Sequence, residues 1–251
     1  MTLDRTSKYM ISDDVNWAYR LYDRIVMMVQ STNRNLKILI GFLIVLTHAP
    51  WAEAKPWEFL AKEDGVTIWT RNVPGSDIDA VKGETIIDAP IEKLVWVVTT
   101  CYRRTEWVEY LRKCDIIEMN KSNRFVAYQA FDMPWPVSDR DFILKGRVYS
   151  DNKGAVRIDV ASGKDKRGPR TIGVRASVHY GTYAIFPLGP NRCRVIVETH
   201  TEPNGIFPDW LTNHLQKDWP LKTLAGLKKQ VKRSFVKKAE LPSNIEKVHS
   251  N

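Results

Sequence analysis

Along residues 66–201 apolar and polar positions mostly alternate, and after residue 208 they step by three and four. Alternation predicts strands at 66–71 and 80–87, joined by a turn at Pro74-Gly75. Residues 56–61 read as a short helical entry. Asp88 is the predicted N-cap of a helix over 90–99, where proline suits the first turn. Leu94, Val97 and Val98 form its inner face. A second short helix is expected over 104–111, with Trp107 and Leu111 four apart. Strands follow near 114–119, 124–132, 141–150, 155–161, 172–186 and 192–201. Asn152-Lys153-Gly154 and Gly189-Pro190-Asn191 are the hairpin turns between them.

The last element differs. From 208 to about 238, Leu211, Leu215, Leu224, Leu227, Val231 and Phe235 fall largely at helical steps. About 30 residues at 1.5 Å each would span roughly 45 Å. Pro220 is expected to kink or split that helix. An antiparallel meander followed by one long helix is an α+β pattern, in which a curved sheet closes over the helix. Val174, Ala176, Val178 and Tyr180 share one strand face, and Cys193, Val195, Val197 and Thr199 share another. Pattern alone reads these faces as solid core.

The most specified stretch is Pro134-Trp135-Pro136-Val137-Ser138-Asp139-Arg140-Asp141-Phe142. Two prolines forbid regular pairing, Ser138 and Asp139 suit a turn, and strands flank it on both sides. Such a turn sets the register of the two strands. Arg140 reads as structural, bracing the turn with Asp139 or Asp141.

This stretch resembles the signature of the START domain, the steroidogenic-acute-regulatory-protein-related lipid-transfer family. Two further segments agree in order and spacing. One is Gly65-Val-Thr-Ile-Trp-Thr-Arg71 followed by Ala80-Val-Lys-Gly-Glu-Thr-Ile-Ile-Asp88; the other is Pro203-Asn-Gly-Ile-Phe-Pro-Asp-Trp-Leu211. The resemblance runs from about Trp57 to Val236. It implies a helix-grip fold with an internal hydrophobic cavity, a lipid or sterol-like ligand, no catalytic residues, no cofactor and no metal. The cavity candidates are then Val174, Ala176, Val178, Val195, Val197, Trp210, Leu211, Leu215, Leu224 and Leu227. Pro134, Pro136, Ser138, Asp139, Arg140 and Asp141 are the structural motif. Some cholesterol-binding members carry a buried acid–base pair flanking that motif. The corresponding positions here are Ala127 and Gly146, a departure from the sterol pattern.

A carrier must extract its cargo from a bilayer. At about 0.8 kcal/mol per methylene, a 16-carbon chain needs roughly 12 kcal/mol of matching apolar contact. A dry cavity and a lid that opens at a membrane are therefore expected. Residues 161–170 form a Gly-rich basic loop, and Asn204-Gly-Ile-Phe-Pro208 leads into the final helix beside a glycine hinge. Lys164, Lys166, Arg167, Arg170 and Phe207 are the membrane-docking candidates, facing anionic headgroups. Lys217, Lys222, Lys228, Lys229, Lys232, Arg233, Lys237 and Lys238 give the final helix a basic face.

Two other functions compete. An enzyme on the same scaffold, such as a cyclase or hydrolase, would need convergent acid/base groups; Glu84, Asp132, Glu198 and His200 are the strand candidates. No metal-ligand spacing, nucleophile elbow or Cys–His motif accompanies them. The third is a basic-surface interaction domain. The 251 residues carry a net charge of +9. Removing residues 1–54 leaves 32 basic against 24 acidic side chains, so the excess sits in the folded part. Excess positive charge favours phospholipid or nucleic acid, and no nucleic-acid motif supports the latter. The expected partners are a hydrophobic small molecule and a transient, anionic membrane surface; the expected state is a monomer.

Residues 1–54 read as an N-terminal extension and signal peptide. Asn33-Arg34-Asn35-Leu36-Lys37 is a basic lead-in, residues 38–46 are an apolar core too short to span a bilayer comfortably, and Ala52-Glu53-Ala54 marks cleavage after Ala54. Starting at Met27 or Met28 would give a leader of ordinary length; the alternative is an amphipathic lead with Trp17, Leu21, Arg24 and Met28 at helical spacing. Cleavage implies export to the periplasm or exterior, and an uncleaved leader implies membrane association. Residues 55–240 are the lipid-binding domain, and 241–251 a flexible tail. Cys101, Cys114 and Cys193 allow at most one pair. Cys101 and Cys114 flank a predicted helix and could approach, but three buried thiols is the expected arrangement.

Overall fold

In a computed structural model the chain divides into units Met1–Glu53 and Ala54–Asn251. The structure describes residues 56–242 other than Asn152 and Phe207, together with Arg24; at 209–211 and 213–216 it describes backbone only. The predicted leader, its cleavage point and nearly all of the C-terminal tail lie outside these residues. Among the described residues no helix is long and apolar enough to cross a membrane.

The second unit is a ten-stranded sheet with helices on one face. The strands are β1 (Glu58–Glu63), β2 (Val66–Arg71), β3 (Ala80–Ile87), β4 (Leu111–Met119), β5 (Arg124–Phe131), β6 (Arg140–Ser150), β7 (Val156–Ser162), β8 (Val174–Arg175), β9 (Ser177–Gly189) and β10 (Arg192–Glu202). Their spatial order is β1-β2-β3-β10-β9-β7-β6-β5-β4, with β8 parallel to β6 and all other pairs antiparallel. Helix α1 (Ile91–Thr99) leads into a 3₁₀ turn (Cys101–Glu106), and α2 (Asp209–Gln230) closes the chain.

Four expected elements differ. Residues 56–61 do not form a helix: Asp64 and Gly65 both take positive φ (51° and 71°), folding β1 onto β2 as a tight hairpin. Asp88 does not cap α1; Pro90 holds that position without a side-chain bond, and Asp88 faces Arg192 at 3.6 Å. The helix expected over 104–111 is the 3₁₀ turn, because Tyr110 turns left-handed (φ 58°) and Leu111 starts β4. Pro220 does not split α2, which runs unbroken for 22 residues. Its ring packs into the sheet where β3 carries Gly83; a Cβ there would meet Pro220 Cβ at 2.9 Å.

The cysteines also differ from expectation. Cys101 and Cys114 are joined, with Cα atoms 5.3 Å apart, tying the 3₁₀ turn to β4. Cys193 is a buried free thiol, pushed up to about 11 mainly by burial and then by Glu92.

The main core lies between α1, the second half of α2 and the face of β2, β3, β9 and β10. Val66, Ile68, Leu94, Val156, Ile185, Val195, Leu224 and Leu227 are fully sealed there.

Candidate functional site

Helix α2 packs on β1, β2, β3 and β10. Helices α1 and α2 together do not cover ten strands, so the rest of that face is left bare. There it bounds a cavity of about 210 Å³. Period-two alternation puts Phe125, Ala127 and Phe131 of β5 and Phe142, Leu144 and Val148 of β6 into its wall. Phe131 and Phe142 meet edge to face at 5.5 Å. Val160 of β7 and Val178 and Tyr183 of β9 complete the sheet side. Val98 of α1, Trp219 of α2 and the loop residues Ile78, Met133 and Pro203 close it.

The intervening residues of β5 and β6 face the other way. Val126, Tyr128, Ala130 and Ile143 form a second small cluster on the opposite face of the sheet. Asp141 is sealed on that side. It accepts from Tyr128 Oη at 3.1 Å, Thr171 Oγ1 at 3.2 Å and the Ile172 amide at 3.1 Å, and pairs with Arg175. Burial, followed by the Asp141 charge, raises the Tyr128 phenol.

Two arginines reach the cavity. Arg140 is buried and tied to backbone carbonyls: Ser138, Pro203 (Nε, 3.1 Å), Asn204 and Ile206 (Nη2, both 3.0 Å). Burial lowers its guanidinium while Asp139 opposes that shift. It therefore stitches the motif turn to the loop before α2. Asp139 holds the same turn by accepting the Met133 amide at 3.1 Å. Arg104 differs. It donates to Val98 O at 2.8 Å and Tyr183 Oη at 3.3 Å, and sits 5.2 Å from the Trp107 ring. Its buried Nε has no partner among the described residues, nor has the Trp107 indole N–H. Arg104 lines the cavity and Trp107 does not, so the orphaned Arg104 donor is the one that offers a place for an acceptor there.

Of the sequence candidates, Val178 lines the cavity. Val195, Val197, Leu224 and Leu227 lie in the packed core instead, because α2 docks directly over β3 and β10. Val174 belongs to β8, which pairs with β6, and Ala176 joins β8 to β9; both lie outside the cavity wall. Trp210, Leu211 and Leu215 belong to the part of α2 described by backbone only, and Phe207 lies outside the described residues. Pro134, Pro136 and Ser138 form the motif turn, closed by the Val137 amide on Pro134 O at 3.0 Å.

The basic loop is not a lid. A Cβ on Gly168 would meet Ile143 Cδ1 at 2.2 Å, so the loop lies against the face opposite the cavity. Arg167 is paired there with Glu118 and Asp165, while Lys164, Lys166 and Arg170 are exposed. Large exposed apolar groups stand elsewhere: Trp135 is 91% and Ile206 92% exposed, on the two loops that Arg140 joins.

Sequence reasoning missed Arg104 and the β5–β6 aromatic wall. The signal was present: Phe125, Ala127, Gln129 and Phe131 alternate just before the motif turn. Ala127 lines the cavity, and Gly146 sits opposite Phe125, whose ring would lie 2.5 Å from any Cβ there. Neither position supplies an acid or a base. Among the enzyme candidates, Glu84 faces Arg194 at 3.8 Å and Asp132 faces Arg112 at 2.8 Å, both outside the cavity lining, while Glu198 lines the cavity and faces Arg71 at 3.5 Å.

The START domain model matches residues 46–234. An uncharacterised protein of Pseudomonas aeruginosa is 27% identical over 181 residues, 70% of this chain and 87% of its own. The rat phosphatidylcholine transfer protein is 25% identical over 171 residues, 64% and 77% of the two chains. The fold is that of human STARD10 (24% identity, TM-score 0.64, 71% and 74% covered). It is equally that of a STAR-related lipid transfer protein from Xanthomonas axonopodis (24% identity, TM-score 0.63, 71% and 100% covered).

Proposed function

The chain belongs to the START domain family, and we propose that it is a non-enzymatic carrier that holds one acyl-chain lipid in the cavity with an anionic head at Arg104. The observation that carries this reading is the apolar cavity with the unspent Arg104 donor in its wall. An acyl chain matches the aromatic and aliphatic surface, and a phosphate or carboxylate oxygen satisfies the Arg104 donor. The missing acid–base pair at Ala127 and Gly146 weighs against a sterol. The dispersed, ion-paired carboxylates of β3, β10 and the motif loop weigh against acid–base chemistry.

At about 210 Å³ the cavity is below the usual 300–1,000 Å³ of ligand pockets, so uptake requires a wall to move. The loop before α2 suits that role: Asn204 and Gly205 both have positive φ (52° and 67°), and Pro203 lines the cavity. The lid is this loop with the first half of α2, and it docks on a membrane through Trp135 and Ile206. The carrier acts as a monomer. Its disulfide suits an oxidising compartment, which agrees with export by the leader.

The test is native mass spectrometry of the full chain purified without detergent, before and after incubation with phosphatidylglycerol or phosphatidylcholine vesicles. One lipid per chain is the expected result. Arg104→Met should cut retention of the anionic lipid about tenfold, the scale of one charge-assisted hydrogen bond. A folded protein that stays empty in both incubations would overturn the reading.

A further inference from the structure

A second cluster of chemistry lies at the start of β9 and the end of β10, where His200 alternates with the cavity-lining Thr199 and Thr201. Pairing of these strands slips between His200 and Thr201: His200 faces Tyr180, but Thr201 faces Val178. His179 is therefore the extra residue of a β-bulge, and a bulge re-aims a side chain. Here it brings the His179 ring onto His200, stacked at 4.7 Å with planes 18° apart. Period two puts Glu202 on the same face of β10 as His200. The loop between β2 and β3 closes over them. His200 Nε2 lies 3.1 Å from both Ser76 Oγ and Ile78 O and 3.6 Å from Glu202 Oε1, and Ser76 Oγ bonds Glu202.

We infer that His179, His200 and Glu202 form a binding site for a divalent transition-metal ion of the zinc type. One ring nitrogen of each histidine and one Glu202 oxygen lie within 4.8 Å of one another. In a tetrahedral zinc site, ligand atoms about 2.1 Å from the ion are roughly 3.4 Å apart. Closing the difference asks the His179 ring to swing out of its stack on His200, because one ion cannot lie in the planes of two stacked rings. His179 is exposed, and Glu202 is partly so. Two imidazoles with one carboxylate select zinc, nickel or copper over magnesium and calcium, which take oxygen ligands. His200 is nearly sealed, at 4% exposure, and an ion at its Nε2 takes the place of that nitrogen's contacts with the Ser76 hydroxyl and the Ile78 carbonyl. The fourth position falls to water or the Ser76 hydroxyl. This site stands apart from the lipid reading and is tested on lipid-free protein.

The experiment titrates Zn²⁺ into the full chain, carrying no polyhistidine tag, against a chromophoric chelator at pH 7.5. Co²⁺ absorption reports the coordination number. One equivalent should bind tightly, giving the intense visible bands of a four- or five-coordinate ion. His179→Ala removes an exposed ligand without touching the core and should weaken binding at least tenfold. Glu202→Gln should do likewise, and His214→Ala with His249→Ala should change nothing. At equal zinc, Tm should rise more for the wild type than for His179→Ala. No binding at one equivalent, or wild-type affinity in His179→Ala, would overturn the site.

Discussion

Arg140 and Asp141 are neighbours in sequence and point to opposite faces of β6, and that alternation divides their work. Arg140 reaches the cavity side and joins the motif turn to the loop before α2; Asp141 is sealed on the far side and anchors β8 through Arg175. The motif is thus one hinge post with two fastenings. Close approach also governs Gly226. In an exposed helix, alanine would gain about 1 kcal/mol over glycine. Here a Cβ would fall 2.3 Å from Trp107 O, and backbone cannot yield as a side-chain tip can. Overpacking typically costs about 1–3 kcal/mol, so the contact outweighs propensity. Gly226→Ala is expected to lower stability by roughly 1–2 kcal/mol in urea denaturation; a gain would refute the close contact between α2 and the 3₁₀ turn.

The 3₁₀ turn and β4 are held together at the element scale. The Cys101–Cys114 bond closes 13 residues of sequence, and both cysteines line the cavity beside Arg104. Cross-linking a loop of that length stabilises by about 3 kcal/mol through the unfolded chain. Cys101→Ala with Cys114→Ala should therefore lose roughly that much, and reductant should shift the wild-type urea midpoint but not the variant's. Coincident midpoints for reduced and oxidised wild type would contradict it. Helix α2 is anchored mainly through its second half, where Leu224 and Leu227 are fully buried and Gln230 donates to Glu106 at 2.6 Å. Several of its lysines are engaged: Lys217 with Glu63, Lys222 with Glu109 and Lys228 with Asp64 O. They close the helix against its neighbours as much as they charge its surface.

On the scale of the whole folded unit, a wide sheet covered by two helices over only part of its face leaves bare concave surface, and the cavity is its consequence. The exposed Trp135 and Ile206 stand on the loops at one end of that cavity, joined through Arg140. On the proposed reading, the net charge of +9 would draw the protein to anionic bilayers, and these two apolar side chains would then insert. Trp135→Ala with Ile206→Ser should slow lipid transfer between phosphatidylglycerol vesicles at least fivefold, since insertion is lost while the cavity is untouched. Wild-type transfer should also fall as salt rises from 0.05 to 0.5 M. Equal transfer rates for variant and wild type would remove these loops from the docking step.

The strand positions and the motif turn were legible in sequence because alternation and the two prolines act locally. The family was legible for the same reason: its signature is that turn, with its flanking segments in order. The β1 hairpin was equally local, written in Asp64-Gly65, yet helix-forming Glu58, Leu60, Ala61 and Lys62 masked it. The rest depended on distance. Whether Leu224 faces ligand or core turns on which strands α2 covers, and that is set by Gly83 admitting Pro220, two positions far apart in the chain. The loop 161–170 reads as a free basic lid, and in the fold Gly168 packs on Ile143 of the far face. Arg104 becomes a site only when β9 brings Tyr183 to it. Sequence determined the elements, because their periods are local; the tertiary structure alone decided which faces meet, because the contacts that seal a core or leave a cavity join residues with no common pattern.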